Sequence, residues 1–350
     1  MIKEFNSLKG LLALMIFFHH IPIDYYGKSS LGIVAVMLFF MMSGFLSTIA
    51  YYDRLSLGTF NYSQYLINKA IKFYPIHWLF LIIAICLKLP DQVNWIRQIP
   101  VLGLNFFLLQ SLVPIKNIYF SYNMVTWFLS DTLIFVSLFP LLLRGIVKGG
   151  KRVLFCAVLF VISLYTLIWI YLPESYTHAV FYISPFIRIV DFIVGILCAL
   201  FFMHIKLNAK IIRAVGENST FWQLVSIFLL LSLLLLTAIN ENFSYHSLAY
   251  LPIAFFLLIL VGLNRGASLL NGKLLQKMGT ISFAFFMSHQ IVIRILLKFM
   301  SVGSYEEKIA FILCALILSI IVSYLVTTYF DNIIKSWIKK RKVQQSTIVR

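Results

Sequence analysis

The sequence predicts an all-α, polytopic integral membrane protein, with about ten transmembrane helices around a polar central cavity and both termini cytoplasmic. Three observations predict it. Hydrophobic residues make up 61% of the 350-residue chain and the mean hydropathy is +0.94, whereas soluble domains are only ~45–50% apolar. Charged residues are 12% of the total, less than half the usual ~25%. The charges also sort by side, which is the signature of a topology rather than of a soluble surface.

A spanning helix needs roughly 20 mainly apolar residues. Ten segments meet that requirement in order: 8–26, 31–51, 74–90, 125–147, 153–172, 182–204, 221–240, 247–263, 279–300 and 308–330. The basic start and apolar run at the N-terminus lack a following small-residue cleavage site, so 8–26 reads as a retained helix. The stretch 100–113 is apolar but short and flanked by Pro100 and Pro114. It is predicted as a re-entrant or interfacial segment. Residues 1–334 therefore form one transmembrane domain, and 335–350 form a basic cytoplasmic tail beside anionic headgroups.

With the N-terminus inside, the inner loops hold 21 of the 29 Lys and Arg residues and carry the full net charge of +17. The outer loops hold six basic and six acidic residues and sum to zero. This positive-inside pattern sets the orientation. It also excludes a nucleic-acid partner, because the basic residues lie in short loops against membrane lipids. Cys86, Cys156, Cys198 and Cys314 lie in or beside apolar runs and read as packing residues, with no metal-ligand spacing and no disulfide framework. No metal is expected.

Four formal charges remain inside the spans, Asp131, Arg188, Asp191 and Arg294, and to them are added His19, His20 and His289. Such groups are costly in hydrocarbon and usually face a protein interior or a wet cavity. Lys9 lies at the inner edge of the first span, and His20 is ~16 Å further out at ~1.5 Å per residue. His289 reaches about the same depth on the parallel ninth span, so the two imidazoles are expected at one level. Only one of His19 and His20 is expected to face inward, since adjacent residues are ~100° apart around a helix. Arg188 and Asp191 are three apart and can pair; Arg294 can snorkel outward. Each group also has a plain structural reading: cross-helix hydrogen bonds, a buried ion pair, or close packing at Gly279, Ser282 and Ser288.

Several patterns follow one another along the chain. Lys9 precedes His20 by eleven residues. The second span reads Phe39-Phe40-Met41-Met42-Ser43-Gly44-Phe45-Leu46. Lys69 and Lys72 precede Tyr74-Pro75, and Thr126-Trp127-Phe128-Leu129-Ser130-Asp131 opens the fourth span. Arg188-Ile189-Val190-Asp191 lies in the sixth, and Gly279-Thr280-Ile281-Ser282-Phe283 followed by His289 in the ninth. In this order and over roughly residues 5–330, the chain resembles the acyltransferase-3 family of integral membrane acyltransferases. It departs from the family pattern in carrying Lys9, Lys69 and Lys72 where arginines are usual. Charge is kept there, but the bidentate guanidinium geometry is not.

The resemblance implies an O-acetyltransferase of the bacterial inner membrane. It would move an acetyl group from cytoplasmic acetyl-CoA, the acyl donor, to a hydroxyl of a surface or lipid-linked glycan such as an O-antigen, capsule or exopolysaccharide. His20 would act as general base, an unperturbed imidazole titrating near ~6.5, with Lys9, His19 and Asp131 beside it in the catalytic group. Lys69, Lys72, Tyr74, Ser43 and Gly44 would hold the acyl-CoA, and Trp127, Arg188, Asp191 and His289 the acceptor. The long outer stretch with Trp95, Tyr119, Tyr122 and Trp127 offers aromatic surface to a sugar, or an ordinary interfacial belt. The competing class is a transporter or polysaccharide exporter, because intramembrane charges also line transport paths; inverted repeats would favour it, and none is evident.

Overall fold

A computed structural model of the chain describes residues 3–25, 28–88, 95–239, 247–263, 270, 272–334 and 336. Among these the protein is helical, with no strand. In chain order the α-helices are α1 (Lys3–His20), α2 (Lys28–Ser56), α3 (Tyr62–Lys88), α4 (Trp95–Phe106), α5 (Lys116–Tyr119), α6 (Thr126–Tyr171), α7 (Glu174–Thr177), α8 (Pro185–Lys206), α9 (Ala209–Glu217), α10 (Ser219–Ile239), α11 (Leu251–Leu263), α12 (Lys273–Leu296) and α13 (Tyr305–Leu325). The tail beyond 334 lies, apart from Ser336, outside the described residues.

Among the described residues, seven helical stretches are long and apolar enough to cross a membrane: Lys28–Ser56, Tyr62–Leu87, Thr126–Gly150, Glu174–Lys206, Ser219–Ile239, Lys273–Leu296 and Tyr305–Ile334. Phe155–Tyr171 and Leu251–Leu263 are shorter apolar helices. α6 bends at Gly150, whose φ of +65° is the left-handed conformation that glycine adopts without penalty. That break separates the predicted fourth and fifth spans. α1 starts earlier than expected and stops at His20 instead of running to 26. The physical reason is Pro22, which disfavours helical geometry at Ile21.

Burial separates the centre from the rim. The apolar windows of α2 and α12 are 72% buried, and those of α10 and α13 only 22%. The core is built by α2 against α8 and α1 against α12. Both contacts use glycine as a site of close approach. Gly44 faces the Phe192 carbonyl and Gly195 faces the Met41 carbonyl, while Gly279 faces the Asn6 carbonyl and Gly10 lies 2.8 Å, measured from its Cβ position, from the Gly279 nitrogen. A side chain at these points would force the backbones apart, the usual logic of small residues in helix pairs. Asn6 Nδ2 donates to the Gln276 carbonyl at 2.9 Å, and the offset between partners stays near 270 from Asn6–Gln276 to His20–His289. α1 and α12 therefore run side by side in one direction, as the depth estimate requires.

The stretch 100–113 enters as α4, turns through a 3₁₀ segment at Gln110–Leu112, and leaves toward α5. A chain that stops a helix inside apolar surroundings must satisfy the freed carbonyls. α3 does this with three side chains. His77 Nε2 donates to the Asn105 carbonyl (2.8 Å), Trp78 Nε1 to that of Phe106 (3.1 Å), and the Tyr74 hydroxyl to that of Phe107 (3.1 Å). Further along, Ser130 donates to the carbonyl of left-handed Leu108 (2.6 Å), and Gln110 donates to Thr126 (3.0 Å). Arg294 is tied to the backbone of the same segment. Its Nη1 donates to the carbonyl of Tyr122 at 2.6 Å, where φ is +55°. Asn123 Nδ2 likewise reaches the Met287 carbonyl at 2.9 Å. α12 thus clamps the segment that roofs the cavity described next.

Candidate active site

A cavity of about 240 Å³ opens where α1 ends. Its walls include His19, His20, Phe120, Trp127, His178 and Tyr182. Ligand pockets commonly hold ~300–1,000 Å³, so this one has room for the reacting ends of its ligands rather than for whole ligands. α1 contributes the imidazoles, the roof segment Phe120, α6 Trp127, and a π-helical turn at His178–Ile183 the last two residues. Single π turns often mark functional positions.

Both adjacent histidines reach the cavity, which corrects the expectation that only one would. The 100° argument holds inside a helix, but these residues are its last two, and the chain beyond them has turned away. His19 is held by its Nδ1–H donating to the Lys28 carbonyl at 3.1 Å. Gly32 makes room for the ring: a Cβ there would stand 2.7 Å from His19 Cγ. His20 Nδ1 lies 2.9 Å from the Ile16 carbonyl and 3.1 Å from His289 Nε2. His289 Nδ1 lies 3.1 Å from the Phe285 carbonyl.

The acceptor residues expected from the sequence divide. Trp127 is on the wall. Arg188, Asp191 and His289 are not; their residues are 1%, 0% and 0% exposed. His289 sits behind His20, packed nearly parallel to Phe285 with ring centroids 6.1 Å apart. Arg188 pairs with Asp191 at 3.0 Å, with its guanidinium 5.4 Å from the Phe40 ring centre and 5.9 Å from that of Tyr182. Asp131, fully buried, is approached by Ser111 and the charge of Arg188, and it too lies off the wall. Tyr182 is the partition: one side of its surroundings is the cavity, the other the ion group.

Eleven residues before His20 on α1, Lys9 lies within electrostatic range of Lys72 of α3, as does Lys69. Lys69 Nζ stands 5.7 Å from the Tyr51 ring centre and 5.1 Å from that of Tyr65, near enough for cation–π attraction. The expected acyl-CoA group divides as well. Lys69 and Lys72 share this cluster with Lys9, Ser43 is half-buried on α2, Gly44 is packed against α8, and Tyr74 is tied to the Phe107 carbonyl.

Sequence reasoning missed His178 and Gly32. His178 lies just beyond the polar stretch Glu174–Thr177, ahead of the apolar run of the sixth span. Its Nδ1 is 3.3 Å from the Tyr119 hydroxyl. Nothing in the sequence marks Gly32, because its role depends on a ring thirteen residues earlier. Among the described residues no group of His, Cys, Asp or Glu is arranged to hold a metal.

An all-helical bundle with membrane-length spans and imidazoles bordering a cavity defines a class, the integral membrane proteins with a polar site among their helices. The family follows from comparison. The sequence model of the Acyltransferase domain family, acyltransferase-3, matches residues 2–328, and the chain belongs to that family. No curated protein and no solved structure matches it. The protein is a membrane acyltransferase by family.

Proposed function

We propose that the protein is an acetyl-CoA-dependent O-acetyltransferase of a bacterial inner membrane, crossing it ten times with both termini cytoplasmic, and that its acceptor is a hydroxyl of a surface or lipid-linked glycan. The observation that carries this reading is the placement of His20: one ring nitrogen held from behind, the ring on a cavity, and a cationic cluster around Lys9, eleven residues earlier on the same helix. Lys9, Lys69 and Lys72 bind the phosphates of the donor as point charges, and the pantetheine arm brings the thioester to the cavity. His20 Nε2 takes the proton of the acceptor hydroxyl as its oxygen attacks the thioester carbon. A C–O bond forms, the C–S bond breaks, and the leaving thiolate takes the proton back from His20. The indole N–H of Trp127 stabilises the oxyanion, and the aromatic wall of Phe120 and Tyr182 receives one sugar ring.

Mass spectrometry of surface glycans with and without the gene tests the reaction class. Loss of one acetyl mass on deletion is expected. An intact acetylation pattern refutes the reading, and a missing polymer without a mass change indicates export.

A further inference from the structure

Behind His20 lies a second imidazole that the cavity never touches. His289 is 0% exposed, its ring enclosed by Phe17, Phe285 and Phe286 at centroid distances of 6.5, 6.1 and 6.0 Å. A fully buried histidine in an apolar cage has to satisfy two nitrogens. Its hydrogen bonds dictate how it does so. The Phe285 carbonyl can only accept, so His289 Nδ1 carries the hydrogen. In the neutral ring Nε2 is then a bare lone pair. The atom 3.1 Å away is His20 Nδ1. It also faces a carbonyl, that of Ile16 at 2.9 Å, and so carries its own hydrogen. His20 Nδ1–H is therefore shared between the Ile16 carbonyl and His289 Nε2. The remaining nitrogen of His20, Nε2, is left as the basic one.

We infer that His289 is a positioning residue: an uncharged acceptor that holds His20 with its proton on Nδ1 and supports the imidazolium formed when His20 accepts a proton. This rests on the reading of His20 as general base. Carboxylates usually fill this place behind a catalytic histidine. A neutral imidazole does the same orienting work without leaving a formal negative charge in the hydrocarbon, which would be costly. When His20 Nε2 takes the hydroxyl proton, the bond from Nδ1–H to His289 becomes charge-assisted and stronger. It therefore contributes more in the transition state than in the resting enzyme, the condition for raising kcat. The Ile16 carbonyl accepts from the same N–H, so losing His289 weakens the device without abolishing it.

Two substitutions separate orientation from packing. His289→Phe fills the aromatic cage but offers no acceptor; His289→Gln restores an acceptor oxygen. With membrane-inserted protein at normal level and thermal midpoint, His289→Phe is expected to lower kcat about 10- to 100-fold with KM for acetyl-CoA unchanged, the scale on which orienting partners act. His289→Gln is expected to recover most of that loss. Equal activity of the two variants, or a better Phe than Gln, overturns the proposal.

A second readout needs no turnover. Nitrogen-15 spectra of ring-labelled histidine, with His20→Ala used to assign the signal, are expected to show His20 protonated at Nδ1 in the unmodified protein and mixed in His289→Phe. An unchanged tautomer in His289→Phe overturns the positioning role even where acetyl transfer is confirmed. The expected tautomer shift in a protein without acetyl transfer instead overturns the catalytic reading of His20.

Discussion

Two sets of ionisable side chains lie within the helical bundle, separated by the ring of Tyr182, and they are built on opposite terms. On one side His19, His20 and His178 border a cavity of about 240 Å³. On the other, Asp131, Arg188 and Asp191 are all 1% exposed or less, the guanidinium bridging to one carboxylate and lying over two aromatic rings. The histidines can be uncharged, so a cavity can expose them without leaving an ion in hydrocarbon. The ion group is kept by enclosure, with Arg188 paired to Asp191 and Asp131 fully buried beside them. Costly groups in a membrane bundle therefore do not all mark chemistry. Those bordering space are available to a reactant, and those without it are held inside the protein. Here the pair lies within α8, one helical turn apart, with Asp131 of α6 within electrostatic range of Arg188.

The sharpest way to break that division is His20→Ala. Loss of a positioned general base costs ~10²–10⁴-fold, so glycan acetylation is expected to disappear by mass spectrometry while the protein still inserts. Normal acetylation would remove His20 from the mechanism. Next in size is Arg188→Met, which strands a buried carboxylate. Removing one member of a buried pair costs about 3–5 kcal/mol, read as a lower thermal midpoint in detergent and less inserted protein. Arg188→Met combined with Asp191→Leu is expected to regain most of the stability. A stable but inactive Arg188→Met would move the ion group from architecture to chemistry and erase the contrast.

Lys69→Ala with Lys72→Ala tests the cationic cluster that includes Lys9. Two lost phosphate contacts of ~1 kcal/mol each weaken binding by about 10- to 30-fold, seen as loss of the thermal stabilisation given by acetyl-CoA. An unchanged thermal shift would refute donor binding there. The smallest change is Gly32→Ala, whose Cβ would stand 2.7 Å from the His19 ring. Displacing that ring by about an ångström, a shift that can cost up to ~10²-fold when it misplaces reacting groups, is expected to lower turnover about 3- to 10-fold, below the effect of His20→Ala. Unaltered turnover would show that His19 only lines the wall.

Much of this was legible in the order of residues. Apolar runs marked the helices, because the bilayer core sets the length of a spanning helix. His20 and His289 were placed at one depth from helical rise alone, since a parallel pair of helices preserves level. The short run at 100–113, too brief to span, reads as a re-entrant or interfacial segment; it holds the end of α4, which stops at Phe106, and a 3₁₀ turn. Its carbonyls are satisfied by Tyr74, His77 and Trp78, whose partners lie about thirty residues away in sequence. That distance is why no local pattern shows these bonds.

What the sequence determined by itself is therefore periodic and additive: which segments are helical, which groups are expensive, and that His20 and His289 share a level. These follow from composition and from a fixed rise per residue. Only the tertiary structure decided which expensive groups meet open space. His19 and His20 both face the cavity because α1 ends between them and Pro22, and Gly32 clears a place for a ring on another helix. His289 stands behind His20, and Arg188 behind Tyr182, because close glycine contacts set which faces of α1, α12, α2 and α8 are turned inward. Rotation of one helix against another depends on contacts between residues far apart in the chain, and no local pattern encodes it.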